Sequence, residues 1–308
     1  LCLTHEQRQS LKPGQYHVHI DAEHKSGTLT YGELVIPGES DDEIFISTYI
    51  CHPSMANNEL SGPVVATALA LWVQSRSHHY TYRFAFVPES IGAITYTSQS
   101  LQHLQDKVVA GFNLTCIGDD RAYTYLESRM GNLRIDRIAK RVLETKPNPR
   151  HYTYLHRGSD ERTYCAPGID LPLISLMRSR YGDYPEYHTS LDDLENVVTP
   201  SGLQGGFDFV RECITELEEV PVLTATCLAE PQLGRRDLYH SMLNKNTSDI
   251  VMLRTNVLAY SDGTHTAQDL CDLLDASVDS VQSVISELIE HDLATSHLQR
   301  NQVTNSPR

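Results

Sequence analysis

The chain has 308 residues, a formal net charge of -15 at pH 7 and an isoelectric point of about 5.4. This acidity argues against nucleic acid or an anionic membrane surface as a partner, because both require basic patches on the protein. No run of about 20 apolar residues is present, so the sequence predicts no membrane-spanning helix. The seven cysteines are scattered without a CxxC pair, which is typical of reduced thiols in a cytoplasmic protein.

Residues 1–40 predict a β-rich region, because two stretches alternate between apolar and polar side chains. The first stretch covers residues 16–20, the second covers 29–36, and a predicted turn at 37–42 follows them. We therefore expect an inserted or N-terminal subdomain ahead of the main domain.

Residues 41–222 alternate between strand and helix patterns, which is typical of an α/β layered sheet. The predicted elements are, in chain order, strand 45–51, helix 62–73, strand 82–87, helix 91–104, strand 108–114, helix 133–143, strand 171–176 and helix 202–220. Ligand-binding groups in such sheets gather where strands end. His52 follows the first strand, Glu89 follows the second, and Tyr187 and His188 lie in the loop after the fourth.

Two histidines and one carboxylate form the ligand set of a catalytic zinc that keeps a fourth position open for water. His52, Glu89 and His188 would provide that set if the strand ends converge. The alternative is structural, with His52 at a strand end and Asn58 and Glu59 as caps of the following helix. The residue types alone leave both interpretations open.

The tail of the chain has a different pattern. Residues 221–234 resemble a linker, and a short helix at 266–274, a turn and a longer helix at 279–294 follow. This is a helix-turn-helix pattern, and we expect a winged-helix domain over residues 235–308. The span 266–292 contains seven acidic residues and no Lys or Arg, so it predicts contacts with protein, such as homo-oligomer formation, rather than with DNA.

Five segments resemble, in the same order, motifs of the co-catalytic zinc aminopeptidases. They are His52 with 58–62, then 88–93, 112–118, 158–161 with 167–172, and 187–192. The whole chain resembles a little-characterised family of aminopeptidase-like proteins that carry a C-terminal winged helix and are often linked to polysaccharide biosynthesis. The resemblance implies a three-layer α/β/α zinc-exopeptidase-like sandwich followed by a winged helix. It also implies a chain that is shortened at its N-terminus, because members of that family have further sequence upstream.

The chain departs from the aminopeptidase motifs at three positions. The bridging Asp of the two-zinc site falls on Asn58, a later Asp falls on Thr115, and a Glu-Glu pair is reduced to Pro88-Glu89. Asn cannot provide an anionic bridge between two cations. The resemblance therefore implies one zinc ion per chain on His52, Glu89 and His188.

The remaining polar residues of these motifs are candidates for proton transfer and substrate binding. A general base must be a group within hydrogen-bonding reach of the attacking water, and Asp160 and Glu161 are the first candidates, followed by Asp119 and Asp120. The candidate substrate-binding residues are Asn58, Arg162, Arg178 and Tyr187, and Arg180 and Tyr181 lie near them in sequence. An arginine fork matches the geometry of a substrate carboxylate.

These expectations lead to two competing functions. The first is metal-dependent hydrolysis of an amide bond in a peptide or amino-acyl substrate, as in aminopeptidases. The second is a catalytically degraded aminopeptidase-like scaffold or binding protein that acts through its acidic winged helix. A DNA-binding regulator is a distant third, because the predicted recognition helix has no basic residue.

Overall fold

The computed structural model describes residues 3–236, 238 and 245–298. A seven-stranded mixed sheet forms the centre of the main domain. Its strands are β1 (Gly32–Ile36), β2 (Glu43–Tyr49), β3 (Thr81–Val87), β4 (Val108–Leu114), β5 (Tyr123–Leu126), β6 (Pro149–Tyr152) and β7 (Leu173–Met177). They lie in the order β1-β3-β2-β4-β7-β5-β6. The four central strands β3, β2, β4 and β7 are parallel to one another, whereas β1 and β5 join antiparallel to their neighbours.

Helices cover both faces of this sheet, which makes a three-layer sandwich. The helices of this part of the chain are α1 (His5–Ser10), α2 (Ser61–Gln74), α3 (Ile91–Lys107), α4 (Arg134–Glu144), α5 (Glu161–Tyr164) and α6 (Pro200–Glu219). One core contains buried residues of α2, α4 and α6, and the other contains buried residues of α3 and α5. β2 contributes Ile44 and Ile46 to the first core and Phe45 to the second, as the two-residue period of a strand requires.

The predicted β-rich region at residues 1–40 is mostly wrong. Residues 16–20 are exposed and outside any strand, and only Gly32–Ile36 forms a strand, which pairs with β3 of the main sheet. An alternating pattern specifies a strand only when another strand can pair with it and a core can cover its apolar face. Neither condition holds for residues 16–20, since Tyr16, Val18 and Ile20 remain largely open to solvent.

The C-terminal segment has a core of its own, separate from the two cores of the sandwich. It consists of β8 (Val222–Ala225), α7 (Lys245–Ala259), β9 (Asp262–Thr266), α8 (Ala267–Leu274), α9 (Val278–Glu290) and β10 (Ala294–His297). The strands form an antiparallel sheet in the order β10-β8-β9. The linker prediction for 221–234 is therefore wrong for Val222–Ala225, because these residues form the central strand of that sheet.

The sandwich and the winged helix are joined by charged contacts as well as by the chain. Asp269, buried at the start of α8, lies 2.6 Å from Arg141 Nη1 and 3.1 Å from Arg137 Nε, and both arginines belong to α4. Among the helices described, none is long and apolar enough to cross a membrane.

Candidate metal centre

The candidate site lies where the neighbouring parallel strands β2 and β3 end together. Tyr49, the last residue of β2, pairs with Val87, the last residue of β3. Cys51 and His52 follow the first strand and Glu89 follows the second, so their side chains meet at one edge of the sheet. A thiol, an imidazole nitrogen and a carboxylate oxygen of these three residues all lie within 4.8 Å of one another.

His52 is held by the loop between β2 and α2. Pro53 prevents the strand from continuing, and Ser54 has a φ of 68°, which turns the chain sharply. The backbone N–H of His52 donates a hydrogen bond to the carboxylate of Glu59, whose Oε2 also lies 3.9 Å from His52 Nδ1. Burial raises the pKa of Glu59 above its usual range. Glu59 therefore holds the backbone of the His52 turn. The expected capping of α2 by Asn58 and Glu59 is wrong, because the N-cap of α2 is Leu60 and no side chain caps it.

Glu59 belongs to a single π-helical turn, Ala56–Leu60, that directly precedes α2. In this wide turn the four consecutive residues from Ala56 to Glu59 are all buried. Gly62, the second residue of α2, lies so close to the sheet that a β-carbon there would be 2.6 Å from the carbonyl oxygen of Leu114. The turn and the glycine together hold the polar loop against the strand ends.

His188 reaches the site from the loop after β7. Its ring centroid lies 4.9 Å from that of His52, and the ring of Tyr187 stacks on it at 3.9 Å. Partial burial and the neighbouring His52 ring lower the pKa of His188, which favours the neutral imidazole that binds metals. Glu89 and His188 thus each lie close to His52. The role of these three residues as metal ligands stays a prediction.

Asn58 lies beneath this cluster and is 1% exposed. Its Oδ1 accepts hydrogen bonds from the Tyr49 hydroxyl at 2.8 Å and from Cys116 Sγ at 3.4 Å. The Tyr49 hydroxyl also contacts Thr115 Oγ1 at 2.5 Å. Asn58 and Thr115, at the positions where the aminopeptidase motifs that the sequence resembles have Asp, are therefore bonded into a neutral network. This donor set fits one cation better than two, because no negative charge remains between two cations at that position.

Asp192 fixes the Asn58 backbone, a function that the sequence analysis did not assign. Its Oδ1 accepts from the N–H of Asn57 at 2.6 Å, and its Oδ2 accepts from the N–H of Asn58 at 3.1 Å and from the Tyr184 hydroxyl at 2.9 Å. The sequence feature that could have indicated this role is the position of Asp192 as the last residue of the 187–192 motif. Asp192 thereby ties the loop of His188 to the loop of His52.

The two candidate bases differ sharply in their surroundings. Glu161 is fully buried, and its oxygens accept hydrogen bonds from the N–H groups of Gly158 and Ser159, Tyr181, Asn113 and Ser175. These bonds hold Glu161 away from any reacting water, so the proposed proton-transfer role does not suit it. Asp160 is 1% exposed, and its Oδ2 has no hydrogen-bond partner.

The protonation of Asp160 is set by its burial. Burial raises its pKa to about 7, the N–H of Ser90 opposes this rise by donating to Oδ1 at 2.8 Å, and the charge of Glu89 adds to it. Ser90 has a φ of 60°, in the left-handed region that non-glycine residues rarely adopt. Asp160 is therefore bonded to the strained residue that follows Glu89, and it is the candidate base that the geometry retains.

The candidate substrate-binding residues differ in their exposure and in their contacts. Arg178 is buried, donates to the carbonyl oxygens of Ala122 and Gly202, and stacks on Tyr123, so its substrate role is replaced by a structural one. Arg162 is exposed and reaches Ser90 Oγ at 3.2 Å, which leaves it beside the site. Tyr187 lies against His188, as noted above.

The other candidate residues are occupied by local bonds. Asp119 accepts from Asn57, Ser179 and Arg121, and Asp120 accepts from Thr199 and Ser201, so neither carboxylate is free to act as a base. Arg180 forms an ion pair with Asp183, and the Tyr181 hydroxyl donates to Glu161. These residues stabilise the loops around the site.

Residues 13–220 match the model of a family described as a domain of unknown function, DUF4910. The chain belongs to this family. Residues 221–296 match the model of a winged helix-turn-helix domain. The winged-helix prediction is thereby confirmed for this DUF4910 chain, with a start near residue 221 in the matched range.

Comparison with known proteins places the fold of this DUF4910 chain. A putative polysaccharide biosynthesis protein with an aminopeptidase-like domain from Clostridium acetobutylicum is 38% identical over 239 residues, which are 77% of this chain and 54% of the relative. The crystal structure of a putative peptidase from the same organism matches with a TM-score of 0.64 and 32% identity, over 87% of this chain and 60% of that chain. The chain thus spans little more than half the length of these relatives.

A zinc aminopeptidase from Bacillus subtilis matches with a TM-score of 0.51 and 18% identity, over 61% of this chain and 49% of that chain. An aminopeptidase from Aneurinibacillus sp. strain AM-1 gives a TM-score of 0.51 and 17% identity, over 60% and 47% of the two chains. At these identities the likeness concerns the fold alone. The expected α/β/α sandwich of zinc aminopeptidases is confirmed.

Proposed function

We propose that this chain is a metal-dependent hydrolase of amide bonds, aminopeptidase-like in its chemistry, in which His52, Glu89 and His188 hold one zinc ion. The observation that carries the proposal is that His52 and Glu89, at the ends of β2 and β3, have ligand atoms within 4.8 Å of each other. The ring of His188 is not part of that group of ligand atoms, but its centroid lies 4.9 Å from that of His52. An imidazole nitrogen and a carboxylate oxygen at this separation are suitable donors for zinc. The names of the relatives, aminopeptidase-like and peptidase, agree with this chemistry.

The chemistry that zinc supplies when bound to such donors is the acidification of water and the polarisation of a carbonyl group. The chain itself would have to move protons and orient the substrate. Asp160 would accept a proton through Oδ2, because this oxygen lies beside Glu89 and carries no hydrogen bond. Arg162 and Tyr187, at the edge of the site, would contact the peptide or amino-acyl substrate. Asn58 would act through its unpartnered Nδ2, which donates to an oxygen rather than binding a metal.

Purified protein tests the proposal through its metal content and its activity together. We expect about one zinc per chain, measured by plasma emission after mild chelation and dialysis, and hydrolysis of one or more aminoacyl p-nitroanilides from a panel of side chains. Absence of bound zinc after reconstitution would refute the metallohydrolase function. The scaffold function would then take its place, since it requires neither metal nor turnover.

We further propose that the winged helix contacts protein, including a second copy of this chain, and not nucleic acid. Support comes from its charge, because residues 266–292 carry seven acidic side chains and no Lys or Arg. Arg254, on α7, is buried and paired with Glu287, so its charge is not offered to a phosphate. A cytoplasmic location is part of the same proposal, supported by six free cysteines among the described residues.

A further inference from the structure

Cys51 is the donor beside the candidate metal centre that the aminopeptidase motifs do not account for. Its Sγ lies 2.9 Å from His52 Nδ1 and 3.8 Å from Glu89 Oε2. Donors bound to one tetrahedral zinc, at bond lengths of about 2.0–2.3 Å, are about 3.5 Å apart. A shift of less than about 1 Å would therefore bring the Cys51 sulfur to the position of a zinc ligand.

The backbone explains how two adjacent residues can direct their side chains to the same point. In a continuing strand, the side chains of Cys51 and His52 would face opposite sides of the sheet. β2 ends at Tyr49, however, and the turn through Pro53 and Ser54 begins immediately afterwards. Both side chains therefore point toward Glu89 at the end of the adjacent strand.

Charge gives a reason for an additional anionic ligand at this place. Asn58 and Thr115 are neutral and bonded to Tyr49, so they provide no charge to the cation. Glu161 and Asp192 are committed to hydrogen bonds, Glu59 is bonded to the backbone N–H of His52, and Asp160 is bonded to the N–H of Ser90. Glu89 is the one carboxylate in the group with Cys51 and His52, and it balances half of the charge of a divalent cation.

We propose that the Cys51 thiolate is a metal ligand and forms, with His52 and Glu89, a sulfur, nitrogen and oxygen donor set. This inference rests on the proposed function, since it concerns the same metal. With His188 as the fourth protein ligand, the attacking water would take a fifth position, which zinc can accommodate. When the ion binds, the S–H bond of Cys51 breaks, its proton passes to the buffer, and the sulfur electron pair forms the bond to the metal. Such a set selects zinc or cobalt over magnesium, calcium and manganese, which prefer oxygen donors alone.

Cobalt titration of the chelated full-length protein tests this assignment without using activity. Thiolate bound to Co²⁺ gives a sulfur-to-cobalt charge-transfer band in the near ultraviolet, whereas nitrogen and oxygen donors do not. We expect this band in the wild-type protein, its loss in Cys51→Ser, and its retention in Cys227→Ser, a control in the C-terminal segment. Cys51→Asp should bind cobalt without the band, because it restores an anionic ligand that lacks sulfur.

Affinity and thiol reactivity provide independent measurements. Cys51→Ser should weaken cobalt binding by at least the roughly 10–100-fold that is typical of losing a residue that merely orients a ligand. Saturating metal should also protect one thiol from dithionitrobenzoate in the wild-type protein and in Cys227→Ser, and none in Cys51→Ser. Cys51 is exposed, so its substitution leaves the core intact.

The outcomes separate this inference from the function on which it rests. Tight cobalt binding without the band, and with equal affinity in Cys51→Ser, would overturn the thiolate ligand and leave the hydrolase proposal standing. Failure of the wild-type protein to bind any divalent metal would overturn both.

Discussion

The hydroxyl of Tyr49 donates a hydrogen bond to the side-chain oxygen of Asn58 at 2.8 Å, at the position where the aminopeptidase motifs that the sequence resembles have an aspartate. Tyr49 is the last residue of β2, and burial raises its pKa far above the usual range, so the hydroxyl keeps its proton. A neutral donor thus faces a neutral acceptor at the base of the site. In the proposed metal centre this pair would provide no anionic bridge, so we expect one cation rather than two.

Asn58→Asp should increase zinc from about one toward two ions per chain, because the new carboxylate can bridge two cations. The measurement is plasma emission after reconstitution with excess zinc and dialysis. Asn132→Asp, an exposed change of the same kind, serves as the control and should leave the zinc content unchanged. A content of one ion per chain in Asn58→Asp would mean that Tyr49 and Thr115 still exclude the second ion.

His188→Ala should remove both bound zinc and amidase activity, because it deletes one of the proposed ligands and leaves the strand ends unchanged. His291→Ala, in the turn after α9, is the matched control and should retain both. Zinc content and p-nitroanilide hydrolysis are measured on the same preparations. Unchanged zinc in His188→Ala would contradict its ligand role.

Asp160→Asn should stabilise the chelated protein, and increasingly so as the pH rises. The carboxyl of Asp160 has a pKa of about 7 in the folded protein, because of its burial, and about 3.9 in an unfolded chain. The folded state therefore binds the proton more tightly, and the wild-type protein loses stability as the pH rises from about 4 to 7. Asparagine remains neutral and avoids that loss.

The measurement is the thermal midpoint of both proteins with chelator present, at several values from pH 4.5 to 8. The difference should be small at the acidic end and largest above pH 7. Asp106→Asn, an exposed change on α3, should show no such trend. A difference that does not depend on pH would mean that Asp160 is not a buried, unpaired carboxyl.

Asp269→Ala should destabilise the C-terminal domain and its attachment to α4. The carboxylate accepts the N–H of Thr266 in a capping box and pairs with Arg137 and Arg141. Its loss opens the cap and removes a shared charged partner from both arginines, an effect on the order of 2–4 kcal/mol. Arg141 keeps Glu216, and Arg137 keeps the carbonyl oxygens of Asn132 and Thr264. Calorimetry should show an earlier transition in Asp269→Ala but not in Asp272→Ala, which lies exposed on the same helix.

The sequence indicated the parts of the fold that depend on local pattern. The uninterrupted apolar run of β2, the stop at Pro53 and the helical face of α2 all follow from residues near one another in the chain. The strand ends of β2 and β3 then place His52 beside Glu89, because both strands are parallel neighbours. β5, β6 and α7 were missed, since their short or weakly patterned segments depend on packing partners.

The roles of buried polar side chains depend on distant contacts and could not be predicted in the same way. Glu161 and Asp160 are adjacent in sequence, yet one accepts five hydrogen bonds and the other leaves an oxygen without a partner. Arg178 became structural because Tyr123 and two carbonyl oxygens surround it. Cys51 was overlooked because it looked like the last apolar residue of a strand.

The π-helical turn at Ala56–Leu60 determines what the loss of one residue beside the site would do. A π-helical turn holds one hydrogen-bonded residue more than an α-helical turn, and in this one Asn58 contacts Tyr49 while Glu59 contacts His52. Deleting one residue here would tighten the turn into an ordinary helix and leave α2 in register. Either Asn58 would lose its contact with Tyr49, or Glu59 would lose its contact with His52. A single deletion in this short segment would therefore preserve the fold and disrupt the site.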